Sequence, residues 1–261
     1  MHNYFQAFLS LNRYAWRVFA RNMAVFKKTY KANIAFNFFE PLLYLAAMGM
    51  GLGAFVGSIN GISYVQFIAP GMIASSAMWA ASSECTYDSF VRMKMEKIYH
   101  AIVVTPINLH EVIAGELFTG TLKSVLYGSV ILLVITGLGL VTSFYALLVP
   151  FVLLLCGIIF SELGMIWTGL VAKIDSFSYF FTLIITPMYL FSGVFFPIEA
   201  LPDIVQTVAW FLPLYHVVTV LRSLVLGLIS PALFGHILWL LCFAILIFPL
   251  PLLLIHKRFI K

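Results

Sequence analysis

The chain has 261 residues, of which 62% are hydrophobic and only 10% are charged, with a formal net charge of +5. Its mean hydropathy is +1.04. These values exclude a soluble globular domain, whose surface needs a coat of polar side chains. They predict an all-α integral membrane protein that forms one transmembrane domain over residues 1–261. The three cysteines are far apart in the chain and have neither disulfide nor metal-ligand spacing.

The N-terminal segment at residues 4–24 has the pattern of an amphipathic helix. Its apolar side chains recur at helical spacing, and Arg13, Arg17 and Arg21 follow one another every four residues beside them. We therefore predict a helix lying at the inner membrane surface. It either anchors the chain to lipid alone or also links the first span to a cytoplasmic partner. No cleavable signal peptide is expected, because the first long apolar run begins only near residue 34.

Six apolar runs are long enough to cross about 30 Å of hydrocarbon, which takes roughly 20 residues. The predicted spans are 34–56, 65–83 extended to 87, 122–141, 145–172, 177–196 and 237–255. The second run is the least hydrophobic, since it is rich in Ala, Ser and Gly. Small residues let helices approach closely, so this run is predicted to be a span buried within the bundle.

The distribution of basic residues orients these spans, because Lys and Arg collect in cytoplasmic segments near span ends. Six of them precede the first span and three lie in the last five residues. Both termini are therefore predicted to be cytoplasmic, which requires an even number of crossings. With six spans, every Lys and Arg except Arg222 lies on the cytoplasmic side or at its edge.

The segment at 198–230 is apolar but contains Pro202 and Pro213, and Pro197 directly precedes it. A seventh crossing here would move the C-terminus outside and place Arg222 in hydrocarbon, at a cost of about 2.5–3.5 kcal/mol or more. Two short helices at 204–212 and 214–229 avoid both penalties. We predict a reentrant helical hairpin between spans 5 and 6 that enters from the outer side and returns to it.

The segment at 90–104 mixes basic and apolar side chains between spans 2 and 3. This composition suits a short helix that docks into a groove of another protein, although a charged loop solvated by the cytosol is the simpler alternative. Asn108 and Glu111 then form a capping box that predicts the start of the next helix.

Charged residues inside the predicted spans are expected to be paired. Glu162 in span 4 lies at about the same depth as Lys123 in span 3, so we predict that they form an ion pair.

The chain contains no GxxxxGK[ST] phosphate loop, so ATP hydrolysis by that route is not expected on this chain. Ser192-Gly193 with a distant His216 is too little to indicate a serine hydrolase.

Two stretches carry a resemblance to a known family. They are TPMYLFSGVFFPIEALPDIVQTVAWFLPLYHVVTVLRSLVLG and SFVRMKMEKIYHAIVVTPINLHEVIAGE. Together with the inner-surface helix, six spans and broken hairpin, they resemble the permease subunits of type-2 ABC exporters. Within that family they look closest to the nodulation-factor, lipo-oligosaccharide and polysaccharide export permeases. The first stretch is the more specific, because it combines P-x(5)-G-x-x-FP, LP and LP-L-x-H in order.

The resemblance implies a permease that is not itself an enzyme and that exports a lipid-linked or amphipathic saccharide across the bacterial cytoplasmic (inner) membrane. Its implied partners are a second copy of itself, two copies of an ATP-binding cassette ATPase that carries the ATP and Mg²⁺, and membrane lipids. No nucleic acid and no cofactor or metal on this chain are expected. The implied coupling residues are Arg92, Met93, Lys94, Glu96, Lys97, Tyr99 and His100. The implied outer gate is Phe195, Phe196, Pro197, Leu201 and Pro202.

Aromatic side chains on spans 1 and 5 give a separate reason to consider a saccharide, because sugar rings stack on aromatic faces. These candidates for lining a path are Phe38, Phe39, Tyr44, Tyr179, Tyr189 and Phe191. Packing against lipid or the core explains the same residues. Two other functions stay open: the same machine exporting small hydrophobic drugs or toxins, and an ATP-independent intramembrane enzyme or scaffold.

Overall fold

The computed structural model describes residues 14–59 and 61–259, with the side chains of 29, 31–38 and 40 left out. This part of the chain is almost entirely helical, as predicted. The α-helices are α1 Tyr14–Met50, α2 Leu52–Val56, α3 Tyr64–Ser83, α4 Ile98–Val103, α5 Leu109–Gly137, α6 Val149–Leu170, α7 Phe177–Phe180, α8 Thr186–Phe191, α9 Asp203–Trp210, α10 Pro213–Leu226, α11 Ala232–Ile247 and α12 Pro249–Phe259. A two-residue antiparallel hairpin, β1 Ser58–Ile59 and β2 Ile62–Ser63, joins α2 to α3.

Helix α1 runs without interruption through Pro41. It joins the C-terminal part of the predicted inner-surface helix (4–24) to the first predicted span (34–56), which the sequence suggested as separate helices. Residues 4–13 of that helix lie outside the described residues. Beyond Pro41 the helix is apolar over Pro41–Val56, which is shorter than a full span. The position of residues 14–24 at a membrane surface stays a prediction.

Helix α3 occupies the centre of the bundle. Sixteen of its twenty residues are buried, and it packs against α5, α6 and α10. Its small side chains allow this close packing: a Cβ atom added to Gly71 would lie 2.8 Å from Cγ1 of Val194. The predicted burial of residues 65–83 is therefore confirmed, and the low hydropathy reflects contact with protein on all sides.

Four stretches of the described chain are long and apolar enough to cross a membrane. They are Leu109–Gly137, Phe144–Leu170, Ile174–Phe191 and Ala232–Phe259, and they overlap the predicted spans 122–141, 145–172, 177–196 and 237–255. The third ends five residues early, because Gly193 adopts φ +75° and turns the chain. The capping box at Asn108 and Glu111 is confirmed, and the Asn108 N–H donates to Oε2 of Glu111 at 2.8 Å.

Helices α9 and α10 occupy the segment predicted to contain two short helices, and they meet at an angle of 87°. The end of α10 lies beside the connection between α5 and α6, where the Thr142 N–H donates to the Val225 carbonyl at 3.1 Å. Near its start, Nδ1 of His216 is 2.7 Å from Nδ1 of His236, in the second turn of α11. Helix α10 thus runs back alongside the helix that follows it, toward the end of the bundle from which α11 starts.

Helix α5 is held against α1 at Gly115, which gives a test of this packing. A Cβ at Gly115 would lie 2.6 Å from Cβ of Val18 and 3.0 Å from the Ala15 carbonyl oxygen. We expect Gly115→Ala to lower the free energy of unfolding by about 1–3 kcal/mol, the usual cost of overpacking. Gly235→Ala is the control, because no atom of the described residues lies within 4 Å of its added Cβ. Thermal unfolding in detergent should show a lower midpoint for Gly115→Ala only; equal midpoints would contradict the packing.

Candidate functional site

An ion-paired group of side chains lies where α3 ends. We call Glu84, Asp88, Arg92, Glu116 and Lys123 the ionic cluster. Nη2 of Arg92 donates to Oε1 of Glu84 at 2.5 Å and also to Oε2 of Glu116. Nζ of Lys123 donates to Oε2 of Glu84 and, at 3.3 Å, to Oδ2 of Asp88. Both glutamates are 1% exposed, so each carboxylate depends on these partners.

The cluster extends to α1 through Asn22. Its Nδ2 donates to Oε1 of Glu116 at 3.1 Å and to Oγ1 of Thr119 at 3.2 Å. Nη1 of Arg21 donates to Oδ1 of Asn22 at 3.0 Å. Side chains from α1, from α5 and from the chain that continues α3 therefore form one network, which borders a cavity of about 280 Å³.

The local backbone explains how these side chains meet. After Ser83 the helix continues through two π-helical turns, Glu84–Asp88 and Val91–Met95. Glu84, Asp88 and Arg92 are four residues apart and so lie on nearly the same side. Glu116 and Lys123 are seven residues apart, which puts them on one face of α5 facing that side. This spacing is the signal in the sequence that could have revealed the cluster.

Arg92 stays positively charged in this setting. Its burial by itself would lower the pKa of the guanidinium, but the carboxylates of Glu116 and Glu84 raise the pKa above its ordinary value. Burying these charges is offset only because each has partners of opposite sign, and removing one partner leaves an uncompensated charge. The cluster therefore resists rearrangement, and we call it a joint because it connects α1, α5 and the chain that follows α3.

The predicted coupling residues divide into two groups. The side chains of Lys94, Glu96, Lys97 and His100 are exposed. The others face the bundle: Arg92 belongs to the ionic cluster, Met93 is 2% exposed, and Tyr99 is fully buried with its hydroxyl 2.5 Å from Oγ of Ser89. Met93 and Tyr99 are thus buried and Arg92 is only 16% exposed, so a partner would meet mainly the exposed group, and the coupling role of the segment stays a prediction. Lys97, with φ 53°, makes the turn that starts α4.

The predicted pair of Lys123 with Glu162 is wrong. Lys123 is bound to Glu84 and Asp88, whereas Glu162 is 1% exposed and neither carboxylate oxygen has a hydrogen-bond partner among the described residues. The prediction compared depth along two helices. Depth does not fix which face of a helix points at its neighbour, and Lys123 points at the end of α3.

At the opposite end of the bundle, several of the predicted gate and path residues come together. The ring of Phe195 contacts the ring of Tyr189, with centroids 5.0 Å apart, and lies 6.5 Å from that of Tyr44. The other predicted residues lie at the surface: Phe196, Pro197 and Leu201 are half-buried, and Phe39, Tyr179, Phe191 and Pro202 are exposed. The side chain of Phe38 lies outside the described residues.

Sequence reasoning placed Arg222 on the outer side but missed its contacts. Its Nε donates to the Phe67 carbonyl at 3.2 Å, and its Nη2 donates to the Gly193 carbonyl at 2.6 Å. The guanidinium also lies over the Phe67 ring, 3.8 Å from the centroid. Arg222 thereby connects α10 with the start of α3 and with the turn that follows α8.

The fold and these two sites define a helical integral membrane protein with a fixed charged joint at one end and an arginine-bound turn at the other. A family model described as ABC-2 type transporter matches residues 14–226. The chain therefore belongs to the ABC-2 type transporter family, whose members are transport subunits in membranes and normally work with an ATPase. This confirms the family predicted from the two sequence stretches.

Relatives support the assignment over the whole chain. The chain is 38% identical to nodulation protein J of Rhizobium meliloti (strain 1021) over 264 residues, covering 99% of both chains. It is 40% identical to nodulation protein J of Rhizobium leguminosarum bv. trifolii over 220 residues, covering 84% of this chain and 82% of the relative. It is 28% identical to the inner membrane transport permease YadH of Escherichia coli (strain K12) over 197 residues, covering 71% and 72%.

The ionic cluster predicts a large effect of Arg92→Met. The change leaves two buried carboxylates without their shared cation, so the free energy of unfolding should fall by about 3–5 kcal/mol. Adding Glu116→Gln should recover part of this loss, because Glu116 is the carboxylate that has no other cation once Arg92 is gone. Lys94→Met, a matched change at an exposed lysine, should stay within about 0.5 kcal/mol. The unfolding midpoint of each of the three variants is measured in detergent. Equal midpoints for Arg92→Met and Lys94→Met would contradict the stabilising role of the Arg92 ion pairs.

Proposed function

We propose that this chain is the membrane permease of an ATP-driven exporter that moves a lipid-linked or amphipathic saccharide out across the cytoplasmic membrane. Two copies of the chain work with two copies of an ATP-binding cassette ATPase. ATP and Mg²⁺ bind to that partner, since this chain has no GxxxxGK[ST] phosphate loop. Membership of the ABC-2 family supports the transport role, and the name of the E. coli relative supports the inner membrane.

The observation that carries the proposal is the joint between an exposed segment and the helices of the bundle. Lys94, Glu96, Lys97 and His100 are exposed to a partner, although the ring of His100 also packs on Phe259, with centroids 4.4 Å apart. Arg92, two residues before Lys94, binds carboxylates from the end of α3 and from α5. A displacement of the exposed segment is then passed to both helices. In this mechanism the ATPase shifts the permease between two states, and the permease does no chemistry on its substrate.

The contacts of α9 and α10 support a reentrant hairpin with both ends on the outer side. The end of α10 is hydrogen-bonded beside the α5–α6 connection, and Arg222 binds the turn that precedes α9. Six crossings with both termini in the cytoplasm are consistent with this arrangement. Phe195, Tyr189 and Tyr44 then lie at the outer end of the path, where aromatic faces can stack on sugar rings.

Charge reversal in the exposed segment tests the partner. With tagged chain purified from native membranes, an ATPase should co-purify with the wild type. Lys94→Glu combined with Lys97→Glu should reduce the retained ATPase activity by about tenfold or more, because reversing two charges removes the electrostatic complementarity expected at this interface. Lys173→Glu is the matched control, since Lys173 is an exposed lysine in the loop after α6. A pull-down without any ATPase, or one that the double reversal leaves unchanged, would contradict the coupling surface.

Substrate class is tested in inverted vesicles with a labelled glycolipid and a hydrophobic dye. We expect ATP-dependent accumulation of the glycolipid. Phe195→Ala should slow it roughly two- to tenfold, the value of about 0.5–1.5 kcal/mol for an aromatic contact. Phe151→Ala, at a phenylalanine on α6 that is 66% exposed, is the control. Accumulation of the dye alone would favour the export of drugs or toxins, and no ATP-dependent accumulation would favour an enzyme or scaffold.

A further inference from the structure

Arg222 is unusual because its guanidinium, a group that commonly pairs with carboxylates, donates its hydrogen bonds to backbone carbonyl oxygens. No carboxylate lies within ion-pair distance of it in the part of the chain that the structure describes. Instead its guanidinium bridges the carbonyls of Phe67 and Gly193. These acceptors belong to two different elements, the first turn of α3 and the turn after α8.

The Gly193 carbonyl lies in the turn just beyond the end of α8. The helix ends at Phe191 with Ser192 as its C-cap, and Gly193, with φ +75°, turns the chain away so that the helix cannot continue. A cation at this end is also favoured by the helix dipole. Arg222 donates a hydrogen bond to the Gly193 carbonyl in the turn, and this bond fixes the position of the turn relative to α10.

The two elements bridged by Arg222 touch each other directly. Val194, which follows Gly193, is fully buried, and its side chain fills the space beside Gly71 in α3. A Cβ added to Gly71 would lie 3.2 Å from Cβ of Val194. The turn therefore seats against α3 next to the arginine, and Phe195 and the remaining gate residues continue from it.

We propose that Arg222 is a latch, a positioning residue that holds the outer ends of α3 and α8 together and releases when the outer side of the path opens. This inference rests on the proposed export function, because it assigns the state with both bonds made as the outward-closed state. Hydrogen bonds from a charged donor to neutral carbonyls suit the role. They are strong enough to bias the equilibrium and, unlike a buried ion pair, leave no second charge exposed to apolar surroundings when they break.

The test measures access to Val194, the buried residue next to the Gly193 carbonyl that Arg222 binds. Val194→Cys is introduced into a chain with Cys242→Ala, which removes the exposed native thiol. A membrane-impermeant maleimide is then added from the outer side, with Arg222 intact or replaced. We expect Arg222→Met to raise the labelling rate by at least about tenfold, because it removes two charge-assisted hydrogen bonds and the loss of one alone corresponds to about that factor. Arg222→Lys should give an intermediate rate, because an ammonium lacks the planar fork that reaches both carbonyls.

Ser223→Ala is the matched control and should leave the labelling rate unchanged, since it alters the neighbouring position on α10 and keeps the guanidinium. Size-exclusion profiles establish that each variant is folded. A folded Arg222→Met chain that labels at the wild-type rate would overturn the latch. Because labelling needs neither ATP nor a substrate, this outcome is separate from a failure of the proposed function.

A cross-link tests whether release is required for transport. Gly71→Cys with Val194→Cys places the two Cβ positions 3.2 Å apart, a few tenths of an ångström below the usual range of about 3.5–4.5 Å, so a small shift of the turn brings the thiols into disulfide geometry. Oxidation should stop glycolipid export, and reduction should restore it. Export that continues in the fully oxidised protein would overturn the latch, whereas absence of export in the reduced protein and in the wild type would instead count against the proposed function.

Discussion

The structure depends on the pairing of charges that would otherwise be buried alone. Glu84 and Glu116 are almost completely withdrawn from solvent, and neither carboxylate would be tolerated there without Arg92 and Lys123. The same bonds fix the end of α3 against α5, and Asn22 adds α1. The polar segment after α3 is thereby attached to the most deeply buried helix, so its position and that of the bundle core are set together.

Much of the architecture follows from patterns that a helix imposes locally. The apolar runs, the capping box at Asn108 and Glu111 and the break before α9 are local features, and the family could be recognised from two stretches. The small residues of α3 also predicted its burial correctly. These features depend on neighbours within a few residues, and that range is what periodicity and capping describe.

What failed depends on how helices are rotated against each other. Lys123 and Glu162 lie at similar depths but on faces that do not meet, and an apolar helix carries no pattern that reveals this rotation. Arg92, Met93 and Tyr99 resemble an exposed segment in composition, yet two π-helical turns and the left-handed Lys97 direct them inward. The contacts of Arg222 could not be predicted because their acceptors are backbone carbonyls, which every residue has.

The two arginines show how one side chain can serve opposite mechanical needs. Arg92 binds carboxylates, so breaking its bonds would leave the buried Glu116 without a cation and Glu84 with Lys123 alone, and this cost keeps the joint closed. Arg222 binds carbonyls, so breaking its bonds leaves neutral dipoles that other donors can satisfy. In a transporter that a partner drives at one end and that opens at the other, the contacts at the driven end must hold their positions. The contacts at the opening end must break at a low free-energy cost. The chemistry of the acceptors, carboxylate at Arg92 and carbonyl at Arg222, fits that division.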